Sequence, residues 1–172
     1  MNTASKAEPL VIPAEWHVRY NYPAGETGSR FFAALRDKKI MATRCSTSGI
    51  SYLPPRAYCE RSFAPCDEWV EAGQRGTIEA ATIVSAAFEN LPTPPYAIAY
   101  VRLDGVDTAL LNFVRGVDLS RVEEAAERLV PGTRVRVVFA DERSGRITDF
   151  HYELDEAERP AVSALEPGSR RN

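Results

Sequence analysis

Between residues 76 and 154 the chain carries five β-patterned runs interrupted once by a helical one, an order that few folds accommodate. Residues 77–86 (TIEAATIVSA), 97–103 (AIAYVRL) and 108–115 (TALLNFVR) are rich in β-branched and apolar side chains and are bounded by turn-forming residues, so each predicts a strand. The second and third are joined across Asp104-Gly105-Val106-Asp107, where the glycine supplies a turn conformation costly for other residues, and they predict a hairpin. In residues 120–129, Val122, Ala125, Ala126 and Leu129 recur at helical spacing, and Ser120 with Glu123 has the spacing of a capping box. Pro131-Gly132 ends that helix. Residues 134–140 (RVRVVFA) predict a fourth strand, and Ser144-Gly145 a turn into a fifth over residues 146–154 (RITDFHYEL). Five strands with one helix between the third and fourth is the order of an OB barrel, whose closure largely removes exposed strand edges. The fold class expected is therefore mainly β, a five-stranded OB barrel with one helix, over residues 74–154.

The residues ahead of this barrel have a different texture. From Ser29, the residues Phe31, Phe32 and Leu35 form an apolar stripe at helical spacing, with Lys38 and Lys39 placed to complement the helix dipole in a last turn. Residues 1–28 contain Pro9, Pro13, Pro23, Gly25 and Gly28 among the aromatics Trp16, Tyr20 and Tyr22, without a clean period, and read as an extended arm lying on a surface. Residues 155–172 are charged and proline-containing and read as a flexible tail.

Residues 29–73 therefore combine one short helix with a segment holding all three cysteines, Cys45, Cys59 and Cys66, and few apolar residues. Such a segment cannot build a core of its own and needs a metal or a neighbour to hold it, so it is expected to gain order chiefly on docking to another protein. A zinc ribbon would present two cysteines from each of two tight knuckles. Here Cys45-Ser46-Thr47-Ser48 and Cys59-Glu60-Arg61-Ser62 carry serine where each second cysteine would stand, and a serine hydroxyl stays protonated near neutral pH. Cys66 could join Cys45 and Cys59 in a three-thiolate site completed by another ligand. The favoured expectation is a metal-free ribbon with reduced cysteines held by packing.

Read together, the stretch from Arg44 to Gly49, the stretch Tyr52-Leu53-Pro54-Pro55-Arg56-Ala57-Tyr58-Cys59, then Glu68-Trp69-Val70 and Gly76-Thr77 resemble the acyl-CoA-associated zinc-ribbon/OB-fold family, the small partners of thiolases and related enzymes. The likeness runs from about residue 29 to 154, and the Pro-Pro-Arg stretch followed by cysteine is its most specific element. It implies a non-catalytic accessory subunit of a heteromeric acyl-CoA-processing enzyme, which steadies a thiolase-fold partner and helps shape acyl-CoA access. The stretches around Cys59 and Asp67 resemble most the small subunit of a benzoylsuccinyl-CoA thiolase, which implies degradation of aromatic or steroid-type compounds. Ser48 and Ser62 replace ligands of the family pattern. A CoA thioester would be the complex's substrate, and Arg56 is the residue proposed for a CoA phosphate.

Other functions find less support. The only histidines, His17 and His151, are placed by no motif as a base for a cysteine nucleophile, so no catalytic residue is expected. His151 alternates with Phe150 and Tyr152 and should point out of the barrel into water. An OB-fold protein binding single-stranded nucleic acid is the alternative, with Tyr100, Arg102, Phe113 and Arg115 on the second and third strands. Against it stand Asp104 and Asp107 at the hairpin tip and a net charge of −3. Arg134 and Arg136 read as a solvated face. No run approaches the roughly 18 apolar residues of a membrane span, and the expected location is the cytoplasm.

Overall fold

The computed structural model of the chain describes residues 10–15 and 18–155. Helix α1 (Gly25–Arg36) leads into a three-stranded sheet of β1 (Met41–Arg44), β2 (Ser51–Tyr52) and β3 (Glu68–Glu71), with β1 in the centre. A closed barrel follows, built from β4 (Arg75–Val84), β5 (Tyr96–Leu103), β6 (Leu110–Arg115), β7 (Arg134–Phe139) and β8 (Phe150–Leu154) in the order β4-β5-β6-β8-β7, with α2 (Val122–Arg128) between β6 and β7. All barrel pairings are antiparallel except β6 with β8. The OB-type barrel with its single internal helix is thus the fold expected from the strand order.

The barrel forms because side chains alternate with the pleat. Along β5, Ala97, Ala99, Val101 and Leu103 are buried while Tyr100 and Arg102 are exposed. Leu110 and Val114 of β6, Val135 and Val137 of β7, and Phe150 and Tyr152 of β8 complete the inside. Each of the larger buried side chains among these, such as Val101, Leu103 and Phe150, contributes on the order of 1.5–3 kcal/mol. Gly76 lets β4 cross close to β5, since a Cβ there would stand 2.6 Å from the carbonyl oxygen of Arg102. A buried polar residue pins the closure: Asn112 donates to the carbonyls of Ile147 (2.9 Å) and Phe150 (3.0 Å), while its own side-chain oxygen accepts from Phe113 N (2.8 Å).

Several local expectations shift. Helix α1 begins at Gly25, inside the stretch read as an arm, and ends at Arg36. Lys38 and Lys39 lie past its end, where Lys38 N bonds Leu35 O and Lys39 N bonds Ala34 O in a Schellman termination with Lys38 at φ 59. Helix α2 is shorter than its apolar stripe suggested and uses no capping box. Arg121 is its N-cap, and Ser120 N instead bonds Asp118 Oδ1 at 2.9 Å. The fifth barrel strand starts only at Phe150, because residues Ile147–Asp149 form a 3-10 turn closed on the Asp149 carboxylate.

The largest correction concerns the cysteine segment, whose neighbour is the chain's own barrel. Phe31 and Leu35 of α1, Ile40, Ala42, Leu53 and Ala72 share one continuous apolar core with Ile78, Val101, Leu103 and Leu110 of the barrel. Backbone bonds fasten the same seam: Ser51 N reaches Asp107 Oδ2 (2.8 Å), Asp107 N reaches Ser51 O (3.0 Å), and the Thr108 hydroxyl both accepts from Leu53 N (2.7 Å) and donates to Leu53 O (2.9 Å). Of the expected arm, residues 10–15 and 18–24 have no regular structure, whereas Trp16, His17 and the tail from residue 156 lie outside the described residues.

Candidate functional site

The three-stranded sheet carries two turns of the same construction. In the first, Cys45 N donates to Ile50 O (3.0 Å) and Gly49 N to Cys45 O (2.8 Å). In the second, Cys59 N donates to Ala64 O (2.9 Å) and Phe63 N to Cys59 O (2.9 Å). A left-handed residue follows each serine, Gly49 at φ 76 and Phe63 at φ 56. Glycine adopts that conformation freely, whereas a phenylalanine there is unusual and strained. The Phe63 ring, moreover, is 83% exposed, and Tyr58 on the same turn is also exposed.

The two turns face each other through their side chains. Cys45 Sγ lies 3.4 Å from Ser62 Oγ, and Ser48 Oγ lies 3.3 Å from Cys59 Sγ, so each thiol bonds the hydroxyl of the opposite turn. Cys59 also contacts the Tyr52 hydroxyl (3.2 Å) and accepts from Ser62 N (3.4 Å). Hydrogen bonds from Ser48, Ser62 and Tyr52 pull the Cys59 thiol down to about 5. The shared proton works the other way on Tyr52, which is pushed up to about 12, chiefly by its bond to Cys59 and then by burial. Cys66 packs in the same buried cluster as Cys45, Tyr52 and Cys59, and burial pushes its thiol up.

Zinc is the ion that the family resemblance implies, and the donor set does not suit it. Two of the four facing groups are hydroxyls, which stay protonated near neutral pH, and each is already bonded to a thiol. Among the described residues no group of three or more His, Cys, Asp or Glu side chains is arranged to hold a metal ion, and the three cysteines are free thiols.

Arg56 stands beside this cluster with its guanidinium 5.1 Å from the centre of the Tyr52 ring and ion-paired to Glu60. Its backbone is fixed by Thr43, whose hydroxyl accepts from Arg56 N and donates to Arg56 O, both at 2.8 Å. Three of the other arginines read from the sequence are paired on the surface. Arg134 holds both carboxylate oxygens of Asp104 at 2.9 and 2.7 Å, Arg136 reaches Glu153 at 2.6 Å, and Arg102 reaches Glu79 at 2.8 Å. Phe113 packs edge-on against Tyr96, and Tyr100 is exposed beside Leu111. His151 does alternate with the buried Phe150 and Tyr152, but its side chain is only 16% exposed and lies 3.3 Å from Glu153.

What sequence reading missed is how many large apolar side chains stay exposed. Leu10, Val11, Ile12, Val18, Tyr20 and Tyr22 are all exposed, as are Tyr58 and Phe63. The Leu10-Val11-Ile12 triplet was visible as a signal, while Phe63 could be found only by its backbone conformation.

Residues 69–140 match the family model described as the ChsH2 C-terminal OB-fold domain. Among solved structures, the chain resembles a protein of unknown function from the DUF35 family of Sulfolobus solfataricus, at 24% identity over 76% of this chain and 87% of that one, with a TM-score of 0.57. It also resembles a chain of the Ltp2-ChsH2(DUF35) aldolase, at 18% identity over 77% of this chain and 98% of that one, with a TM-score of 0.58. A search of the curated proteins found no match. Among the described residues no helix is long and apolar enough to cross a membrane. Residues 69–140 are thus similar to the ChsH2 C-terminal OB-fold domain, within a fold that the chain shares with a DUF35 protein.

Proposed function

We propose that the chain is an accessory subunit in acyl-CoA metabolism, with the chemistry carried by a thiolase-fold or related partner. The match of residues 69–140 to the ChsH2 C-terminal OB-fold domain carries this reading, since a solved structure that the chain resembles is an Ltp2-ChsH2(DUF35) aldolase. The exposed residues Leu10, Val11, Ile12, Tyr20, Tyr22, Tyr58 and Phe63 supply the apolar anchors a partner would cover. Arg56, half-exposed at the base of the second turn, is the residue assigned to a CoA phosphate. The acyl group is taken to be aromatic or steroid-type, as in benzoylsuccinyl-CoA thiolysis, and the complex works in the cytoplasm.

Single-stranded nucleic acid is not favoured as a ligand. On the strands that would bind it, Arg102 is engaged by Glu79 and Phe113 by Tyr96.

Co-expression with thiolase-fold proteins tests the proposal. The expected result is a stable complex whose acyl-CoA turnover is lost when either subunit is omitted. Turnover by the isolated chain, or salt-sensitive binding of single-stranded DNA together with failure to join any thiolase-fold protein, would overturn it.

A further inference from the structure

The hydrogen-bonded turns hold four side chains, Cys45, Ser48, Cys59 and Ser62, in a buried or half-buried cluster of two thiols and two hydroxyls. The two cross-turn contacts measure 3.4 and 3.3 Å. A tetrahedral zinc ion with ligands at about 2.0–2.3 Å requires neighbouring donors about 3.3–3.8 Å apart. Both contacts fall at the short end of that range, so at these two pairs the donor chemistry, and not the spacing, is wrong for the ion.

Hydrogen bonds stand in its place. Ser48 Oγ accepts from Ile50 N at 3.3 Å and Ser62 Oγ from Ala64 N at 3.4 Å, so each hydroxyl is fixed by its own turn. Each remains free to donate its proton to the thiol across the cluster. Tyr52, fully buried, adds a further hydroxyl to Cys59. A buried polar group without a partner is costly, and this set satisfies its members mutually.

We propose that Cys45, Ser48, Cys59 and Ser62 form a metal-independent clasp, in which hydrogen bonds between the hydroxyl of one turn and the cysteine sulfur of the other fasten the two turns where the family resemblance implies zinc. Cys66 packs against the same buried cluster but belongs to neither of the two facing turns, so the clasp is drawn without it.

The test compares the full chain with Ser48→Cys/Ser62→Cys, Ser48→Ala, and the double-cysteine protein carrying Cys66→Ala, all expressed in zinc-supplemented medium. The natural chain is expected to contain far less than one zinc per molecule and to keep its Tm in a strong chelator. The double-cysteine protein is expected to hold one zinc, to lose Tm in chelator, and with cobalt to show the charge-transfer and d–d bands of a tetrahedral thiolate site. Removing Cys66 should leave that stoichiometry unchanged. Ser48→Ala should lower Tm by a few degrees with or without chelator. Stoichiometric zinc in the natural chain would overturn the clasp. A folded double-cysteine protein that takes up no zinc would show that donor chemistry is not what keeps the ion out, and would overturn the argument that the clasp stands in the ion's place. Should that variant fail to fold, a Ser48→Ala protein as stable as the natural chain would count against the clasp on its own.

Discussion

Phe63 occupies in the second cysteine turn the position that Gly49 occupies in the first, at φ 56 against φ 76. The left-handed conformation costs an L-residue on the order of 1–2 kcal/mol, of which a glycine's extra chain entropy, about 0.5–1 kcal/mol, takes part back. Phe63→Gly should therefore stabilise the isolated chain by about 0.5–1 kcal/mol in urea denaturation. If the 83% exposed ring is a partner anchor, the same variant should weaken complex formation in a pull-down or titration. A variant that is destabilised and binds as well as the natural chain would contradict both halves.

Helix α1, the three-stranded sheet and the barrel share a single core, which predicts one cooperative transition. Leu53→Ala should cost about 2–5 kcal/mol, because Leu53 is fully buried at the seam. In a Trp16→Phe background, Trp69 fluorescence reports the sheet and far-ultraviolet circular dichroism reports the barrel. The two curves should coincide in the natural chain and shift together in the variant.

Asn112 bonds two carbonyls and one amide inside the barrel wall. Asn112→Leu should cost about 1–3 kcal/mol by stranding those groups, and hydrogen exchange should show the Ile147–Asp149 turn opening first. A variant of unchanged stability would show that the turn is held by the Asp149 bonds alone.

The Arg134 guanidinium beside Asp104 holds its carboxyl below the usual carboxylate range. A depressed acid stabilises the fold above its ordinary pKa, near 3.8, and that contribution is lost as pH falls through the folded value. Asp104 is half exposed, so Arg134→Met should cost only about 0.5–1 kcal/mol at pH 7. The penalty should shrink toward zero near pH 2–3, read as a converging pair of urea midpoints.

Tyr52 is pushed up to about 12 by its bond to Cys59 and by burial, and burial also raises Tyr152. A raised tyrosine contributes fully below its ordinary pKa of roughly 10 and loses that contribution as pH rises. Thermal stability should accordingly decline above about pH 10, and less steeply in Tyr152→Phe once the curves are normalised at pH 8.

The barrel was legible because each strand is half buried and a half-buried strand writes its period into the chain, as Ala97, Ala99, Val101 and Leu103 do against Tyr100 and Arg102. The ends of elements were not. Lys38 closes α1 in a left-handed conformation that nothing in a lysine announces, and the apparent capping box at Ser120 and Glu123 gives way to a bond from Ser120 N to the Asp118 carboxylate. Such choices rest on differences of about 1 kcal/mol, which neighbouring contacts readily reverse.

The residues alone determined the barrel's strand order and the chemistry of the cysteine segment, because periodicity and donor type are carried by side chains one at a time. Only the tertiary structure decided that the segment leans on the chain's own barrel and that its thiols meet the opposite turn's hydroxyls. Both depend on contacts between residues far apart in the chain, such as Asp107 with Ser51 and Ser62 with Cys45, and no local pattern encodes those pairings.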